Sequence, residues 1–173
     1  MIGTTVSPVV TEALLKEARR IEEDAIHSAK RQFNACDFWG RLHYWLGVPA
    51  TLLAAGASTA IAKSAPELAQ VLGLLATLFV TLLTFLKPND RAVQHRGVGN
   101  QYLALRSDAR MFCEIDSVEN KDDTKKVEAL RRLAQRRTEL NEIAPPTSRR
   151  AFEKAREGIS QGEARYRVDE VEK

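Results

Sequence analysis

Charge is missing from two long stretches of this sequence, and the usual signatures of chemistry are missing from all of it. Residues 42–62, between Arg41 and Lys63, carry no charge except what His43 can take up. Residues 68–86, between Glu67 and Lys87, carry none. The two cysteines, Cys36 and Cys113, offer neither a metal-ligand spacing nor a framework of bridges, and both are expected as reduced thiols. The three histidines, His27, His43 and His95, are too scattered to read as ligands; hydrogen bonding at helix contacts is the expected role. There is no phosphate-binding loop, no Ser/His/Asp order and no zinc pattern, and the one glycine-spaced stretch, HRGVGN, follows no strand. Catalysis, a cofactor and a bound metal are therefore not expected. The N-terminus has no basic start followed by an apolar core, so no signal peptide is expected. The net charge of +3 is small, and the bases alternate with acids, as in KKVEALRRLAQRR. That pattern reads as solvated helix faces and does not suggest a nucleic-acid partner.

What is present is segregation. The mean hydropathy of −0.30 averages two apolar blocks with a polyampholyte around them. Residues 42–62 would make about 31 Å of helix, enough for a hydrocarbon core of about 30 Å. This block is the weaker one, diluted by Gly47, Pro49, Gly56 and several alanines. Residues 68–86 are apolar around the full helical circumference, unlike a surface helix of a small soluble domain. The short KSAPE link makes the pair an antiparallel hairpin, so the chain is expected to span a lipid bilayer twice. Trp39, Tyr44 and Trp45 cluster where the charge stops, as an interfacial belt does; an aromatic knot in a bundle core is the alternative. Lys30, Arg31 and Arg41 precede the first block, and Lys87, Arg91 and Arg96 follow the second. The loop has only Lys63, offset by Glu67, so both termini are expected in the cytoplasm.

The flanks read as long amphipathic helices, making the fold class all-α. Ser7-Pro8 is a helix start, and Leu14, Ala18, Ile21, Ala25, Ala29 and Phe33 define one face beyond it. After Pro88, the face is Ala92, His95, Gly99, Tyr102 and Ala109 or Phe112. A polar break at residues 116–123 precedes a helix marked by Val127, Leu130, Leu133, Leu140 and Ile143, which ends at Pro145-Pro146. Thr147 or Ser148 can cap a last short helix bearing Phe152, Ala155 and Ile159, and the tail beyond Gly162 is too polar to promise a fold. The division expected is 1–112 for the hairpin with its flanking helices and 113–173 for a C-terminal extension.

Within the second block, Gly73, Thr77, Thr81 and Thr84 fall at spacings of four, four and three, forming one stripe. The first block has a comparable stripe of small residues that includes Gly47, Thr51 and Ser58. Two readings stay open. Small and hydroxyl residues let membrane helices approach closely; alternatively, the hydroxyls line a water-filled path between several assembled hairpins. No Asp, Glu, Lys or Arg lies within either span to mark a selective ion site. A third possibility keeps everything soluble, with both blocks as central helices of an oligomeric bundle.

The layout resembles the SLATT domain, the two-helix membrane effector associated with SMODS nucleotidyltransferases and SLOG sensors in bacterial conflict systems. The likeness rests on His27 with Ala25 and Ala29 on the approach helix, and on LGVP (Leu46, Gly47, Pro49) opening the first span. It continues with Phe85 and Pro88 at the exit of the second span, then RAVQH and QYLAL, which hold His95, Tyr102 and Leu105. Together these cover roughly residues 12 to 112. The resemblance implies a homo-oligomeric, pore-forming or membrane-disrupting effector in an antiviral or conflict system. It further implies a partner that makes or senses a nucleotide signal. The alternative is a membrane-anchored scaffold whose cytoplasmic helices recruit a partner without any pore.

Overall fold

The computed structural model of the chain describes residues 8–117 and 123–164, with side chains from residue 11 onward. The expected Ser7 cap, residues 118–122 of the expected polar break, and the tail from residue 165 lie outside the described residues. All regular structure among the described residues is helical. In order these are α1 (Pro8–Ala62), α2 (Pro66–Leu86), α3 (Pro88–Met111) with a π-helical turn at Phe112–Asp116, α4 (Asp123–Ile143) and α5 (Arg149–Ser160). The chain divides into two compact units, one of Met1–Asn34 with His95–Lys173 and one of Ala35–Gln94.

The unit Ala35–Gln94 is the hairpin. The approach helix and the first apolar block are not separate elements, because α1 is a single helix of 55 residues. Pro49 lies inside it. Proline has no amide hydrogen, so the carbonyl of Trp45 loses its helical donor. Thr51 lies one half-turn on, and its hydroxyl donates to the carbonyls of Val48 (2.8 Å) and Gly47 (3.3 Å).

The turn into α2 is a Schellman motif. The Ala65 amide donates to the Ala60 carbonyl (2.9 Å), and the Ser64 amide donates to the Ile61 carbonyl (3.0 Å). Ser64 holds the left-handed conformation this motif requires, with φ 56°. A side chain there is strained by about 1 kcal/mol relative to glycine. Ser64→Gly is therefore expected to stabilise the hairpin by about that amount, as a higher unfolding midpoint in detergent. At the other end a single residue, Lys87 (φ 44°), separates α2 from α3. Its amide closes α2 onto Leu83 (3.0 Å), and its carbonyl opens α3 by accepting from Arg91 (3.2 Å).

The two helices meet along a seam of small and branched residues. On α1, Leu46, Ala50 and Ala60 are buried, and Leu53, Gly56 and Ala57 are half-buried between them. On α2 the matching face is Ala69, Leu72, Ala76, Phe79 and Leu83. The threes and fours in both rows are the spacing of a coiled-coil seam. A Cβ built on Gly56 would lie 3.2 Å from Leu72, and one on Gly47 would lie 4.0 Å from Leu83. These pairs run in opposite order along the two helices, so the hairpin is antiparallel as expected.

The other unit is a helical bundle. Ala18, Ile21, Ala25 and Ala29 of α1 are fully or nearly fully buried, against Val98, Tyr102, Leu105 and Ala109 of α3 and Leu140 of α4. The face anticipated on α1 is present. Gly99 belongs to the core because a Cβ there would lie 3.0 Å from the Phe33 ring. The helix α4 ends its apolar face differently from expectation. Ile143 is 59% exposed, and Ala144, just past the helix end, packs against the core in its place. Ser148 caps α5 by accepting from the Ala151 amide (3.2 Å). The buried edge of α5 is Ala151, Ala155 and Gly158, with Phe152 and Ile159 at its margins.

Polar links tie these helices together. The Gln32 amide donates to the Pro145 carbonyl (3.2 Å) and the Asn34 amide to the Ala151 carbonyl (3.1 Å). Arg137 pairs with Asp24 at 2.9 Å, and Lys30 pairs with Glu163. The Lys30 ammonium, as hydrogen-bond donor and positive charge, holds the Glu163 carboxyl below its ordinary value.

Candidate functional site: the outer surface of the hairpin

The seam uses one face of each helix and leaves the rest uncovered. Trp45 (75%), Leu74 (72%) and Phe85 (80%) are exposed, as are Val48, Leu52, Ile61, Val71, Leu78 and Val80. Both apolar helices are long and apolar enough to cross a membrane, and their most apolar windows are only 17% and 11% buried inside the protein. Core helices of a soluble fold have most of such a surface covered, and a patch this size marks an interaction surface. The chain is thus all-helical with two apolar helices compatible with a membrane protein.

The hydroxyl residues sit on this outer surface and not in the seam. Thr77, Thr81 and Thr84 are exposed, and so are Thr51 and Ser58, while Gly73 and Gly47 are half-buried near the seam. Each hydroxyl is satisfied by its own helix. Thr77 donates to the Gly73 carbonyl (2.8 Å), Thr81 to Thr77 (2.8 Å), Thr84 to Val80 (2.9 Å) and Ser58 to Ala54 (3.1 Å). The donor is spent locally, and the oxygen keeps its acceptor capacity facing outward. Close approach within one hairpin comes instead from Ala50, Gly56, Ala60, Ala69 and Ala76. Any packing by the threonine stripe has to be against something outside the hairpin.

Where the apolar block begins, the Arg91 guanidinium lies over the Trp39 ring at 4.6 Å. A cation held on an aromatic face suits a water–apolar boundary, where ring and charge are both partly accommodated. The sequence shows both residues but no spacing that pairs them, because they lie on different helices.

The remaining residues singled out in the sequence have structural surroundings. Pro88 is fully buried at the start of α3. His95 is buried, with Nδ1 2.5 Å from the Gln32 side-chain oxygen. Tyr102 is buried and donates to Asn141 Oδ1 at 2.8 Å. Burial pushes its phenol above the ordinary value, although the nearby Arg31 charge and Ser28 hydroxyl pull it down. His27 and His95 take separate roles, because His27 faces a cleft in the bundle. Both cysteines are free thiols, Cys36 buried and Cys113 half-buried, and burial pushes the Cys113 thiol up, away from the reactive thiolate. Among the described residues, no group of three or more His, Cys, Asp or Glu is placed to hold a metal. No family model, curated protein or solved structure matches the chain.

Proposed function

We propose that the chain is a membrane effector whose hairpins insert in the bacterial inner membrane and assemble, as copies of one chain, into a leak path. The observation that carries this reading is the uncovered apolar surface of α1 and α2 bearing an outward row of threonine oxygens. Lipid covers most of such a surface, and neighbouring hairpins cover the rest. The flanking cations support an orientation with both termini in the cytoplasm. The likeness to the SLATT pattern supplies the biological setting, a conflict system in which a partner makes or senses a nucleotide signal and the effector then breaches the membrane. With no charged group inside the spans, the path conducts ions with little selectivity.

The experiment is leakage from vesicles reconstituted with the purified chain. Wild type is expected to release trapped ions in a density-dependent way. Thr77→Val/Thr81→Val keeps shape and removes the hydroxyls; it is expected to cut leakage about threefold per site at equal incorporation, the scale of one interhelical hydrogen bond. Unchanged leakage from the double variant removes the stripe from the mechanism.

A second reading has its own support, the local satisfaction of every hydroxyl named above, which suits helices that simply face lipid. In it the hairpin is a tether, and the cytoplasmic bundle recruits a partner. An unrelated two-span hairpin then substitutes without loss of activity, whereas the pore reading requires the substitution to fail.

A further inference from the structure

The bundle unit contains a cleft of about 530 Å³, within the range of small-molecule sites, walled by α1, α3, α4 and α5. Its charge is unbalanced. Arg31, Arg137 and Arg156 line it against two carboxylates, Glu23 and Asp24, and His27 adds a further nitrogen donor or acceptor. Asp24 is already committed to Arg137 at 2.9 Å. Arg31 has no carboxylate partner among the described residues. Its Nη2 donates to the Ser28 hydroxyl (3.2 Å), its guanidinium carbon sits 6.0 Å from the Phe152 ring centre, and its buried Nε has no acceptor. Arg156, on α5, is exposed and makes no hydrogen bond or ion pair among the described residues.

A guanidinium held in a wall is built to meet a planar or tetrahedral oxyanion through paired N–H donors. Here one is fixed by a hydroxyl and an aromatic face, a second lines the cleft from another helix, and neither has a counter-ion among the described residues. Beside them, Phe152 presents a ring that is 45% exposed, and Asn141, whose side-chain oxygen accepts from Tyr102, lines the cleft with its amide. We infer that this cleft binds a small soluble phosphomonoester, its phosphate between Arg31 and Arg156 and its organic part against the Phe152 ring. The phosphate is favoured over a single carboxylate because two guanidiniums from different helices line the cleft, and a phosphate brings more negative charge and more acceptor oxygens to them. Glu23 opposes the ligand and limits its affinity. Bound ligand links α5 to α1, so occupancy stabilises the docking of the last helix by mass action.

The test uses the full chain in maltoside micelles, which carry no phosphate, titrated calorimetrically with inorganic phosphate and with phenyl phosphate. Both are expected to saturate, phenyl phosphate about threefold to tenfold more tightly because its ring stacks on Phe152. Arg156→Gln is expected to weaken binding about tenfold or more, the scale of a lost charge-assisted contact, without unfolding the chain, since the residue is exposed and unpaired. Arg31→Lys should weaken it similarly by removing the fork, and Glu23→Gln should tighten it. Failure of both probes to saturate, or equal affinity in wild type, Arg156→Gln and Arg31→Lys, overturns the inference.

Discussion

Replacing Leu74 and Leu78 with arginine is expected to release the chain from alkali-washed membranes into the supernatant. Both residues are exposed on the outer face of α2 and touch nothing the hairpin seam needs. Inside hydrocarbon each arginine costs about 2.5–3.5 kcal/mol on the insertion scale, so the pair costs about 5 kcal/mol or more and removes the stronger of the two spans. The weaker block, with Gly47, Pro49 and Gly56, is expected to be marginal as an anchor by itself. The same substitutions have the opposite meaning for a soluble bundle, where charges on an exposed surface raise solubility and leave folding intact. Wild type retained in the pellet and the double variant released establish insertion through α2. Wild type already in the supernatant leaves an oligomeric bundle and ends both the pore and the tether.

The second large effect belongs to the helical bundle. Tyr102→Ala is expected to destabilise the unit built from α1, α3, α4 and α5 by about 3–5 kcal/mol, the range for emptying an aromatic site in a core. Tyr102 is 1% exposed, packs in the cluster that holds Ile21, Ala25, Leu105 and Leu140, and bonds Asn141 across to α4. Tyr102→Phe separates the two contributions. Loss of one hydroxyl hydrogen bond amounts to about 1 kcal/mol, so the phenylalanine variant should unfold only slightly earlier than wild type. The measurement is thermal or denaturant unfolding in detergent, followed by a probe in the bundle. Equal midpoints for Tyr102→Ala and wild type would contradict the core described above.

The helices were legible in the sequence wherever polarity varied around them. Ala18, Ile21, Ala25 and Ala29 on α1, and His95, Gly99, Tyr102 and Ala109 on α3, show their buried face by spacing alone, because their opposite faces are charged. The apolar blocks were legible as elements by their lack of charge, but not in their orientation. A helix apolar all round has no polar face to say which side meets its neighbour, and the threonine row was the only asymmetry visible. The seam follows alanine and glycine instead, since those let the backbones approach. That α1 runs unbroken through Gly47 and Pro49 has no local mark in the sequence, since both residues weaken a helix in water. Gln32 and Asn34 carry no mark of burial in the sequence. Their partners are carbonyls at Pro145 and Ala151, more than a hundred residues on, and no local pattern marks such a pairing. The cleft around Arg31 was hidden for the same reason, as its arginines come from three different helices.

Pro49 sets a depth mark on α1 for the inserted hairpin proposed above. The carbonyl of Trp45 loses the amide it would accept from in an unbroken helix, and such an oxygen favours a hydrated depth. The uncharged length of α1 beyond it, Trp45 to Ala62, is about 27 Å, and the uncharged stretch of α2, residues 68–86, is about 28 Å. The two are matched to each other and fall slightly short of a hydrocarbon core of about 30 Å. An inserted hairpin would therefore favour the thinner bilayers, with both helices strained alike by a thick one.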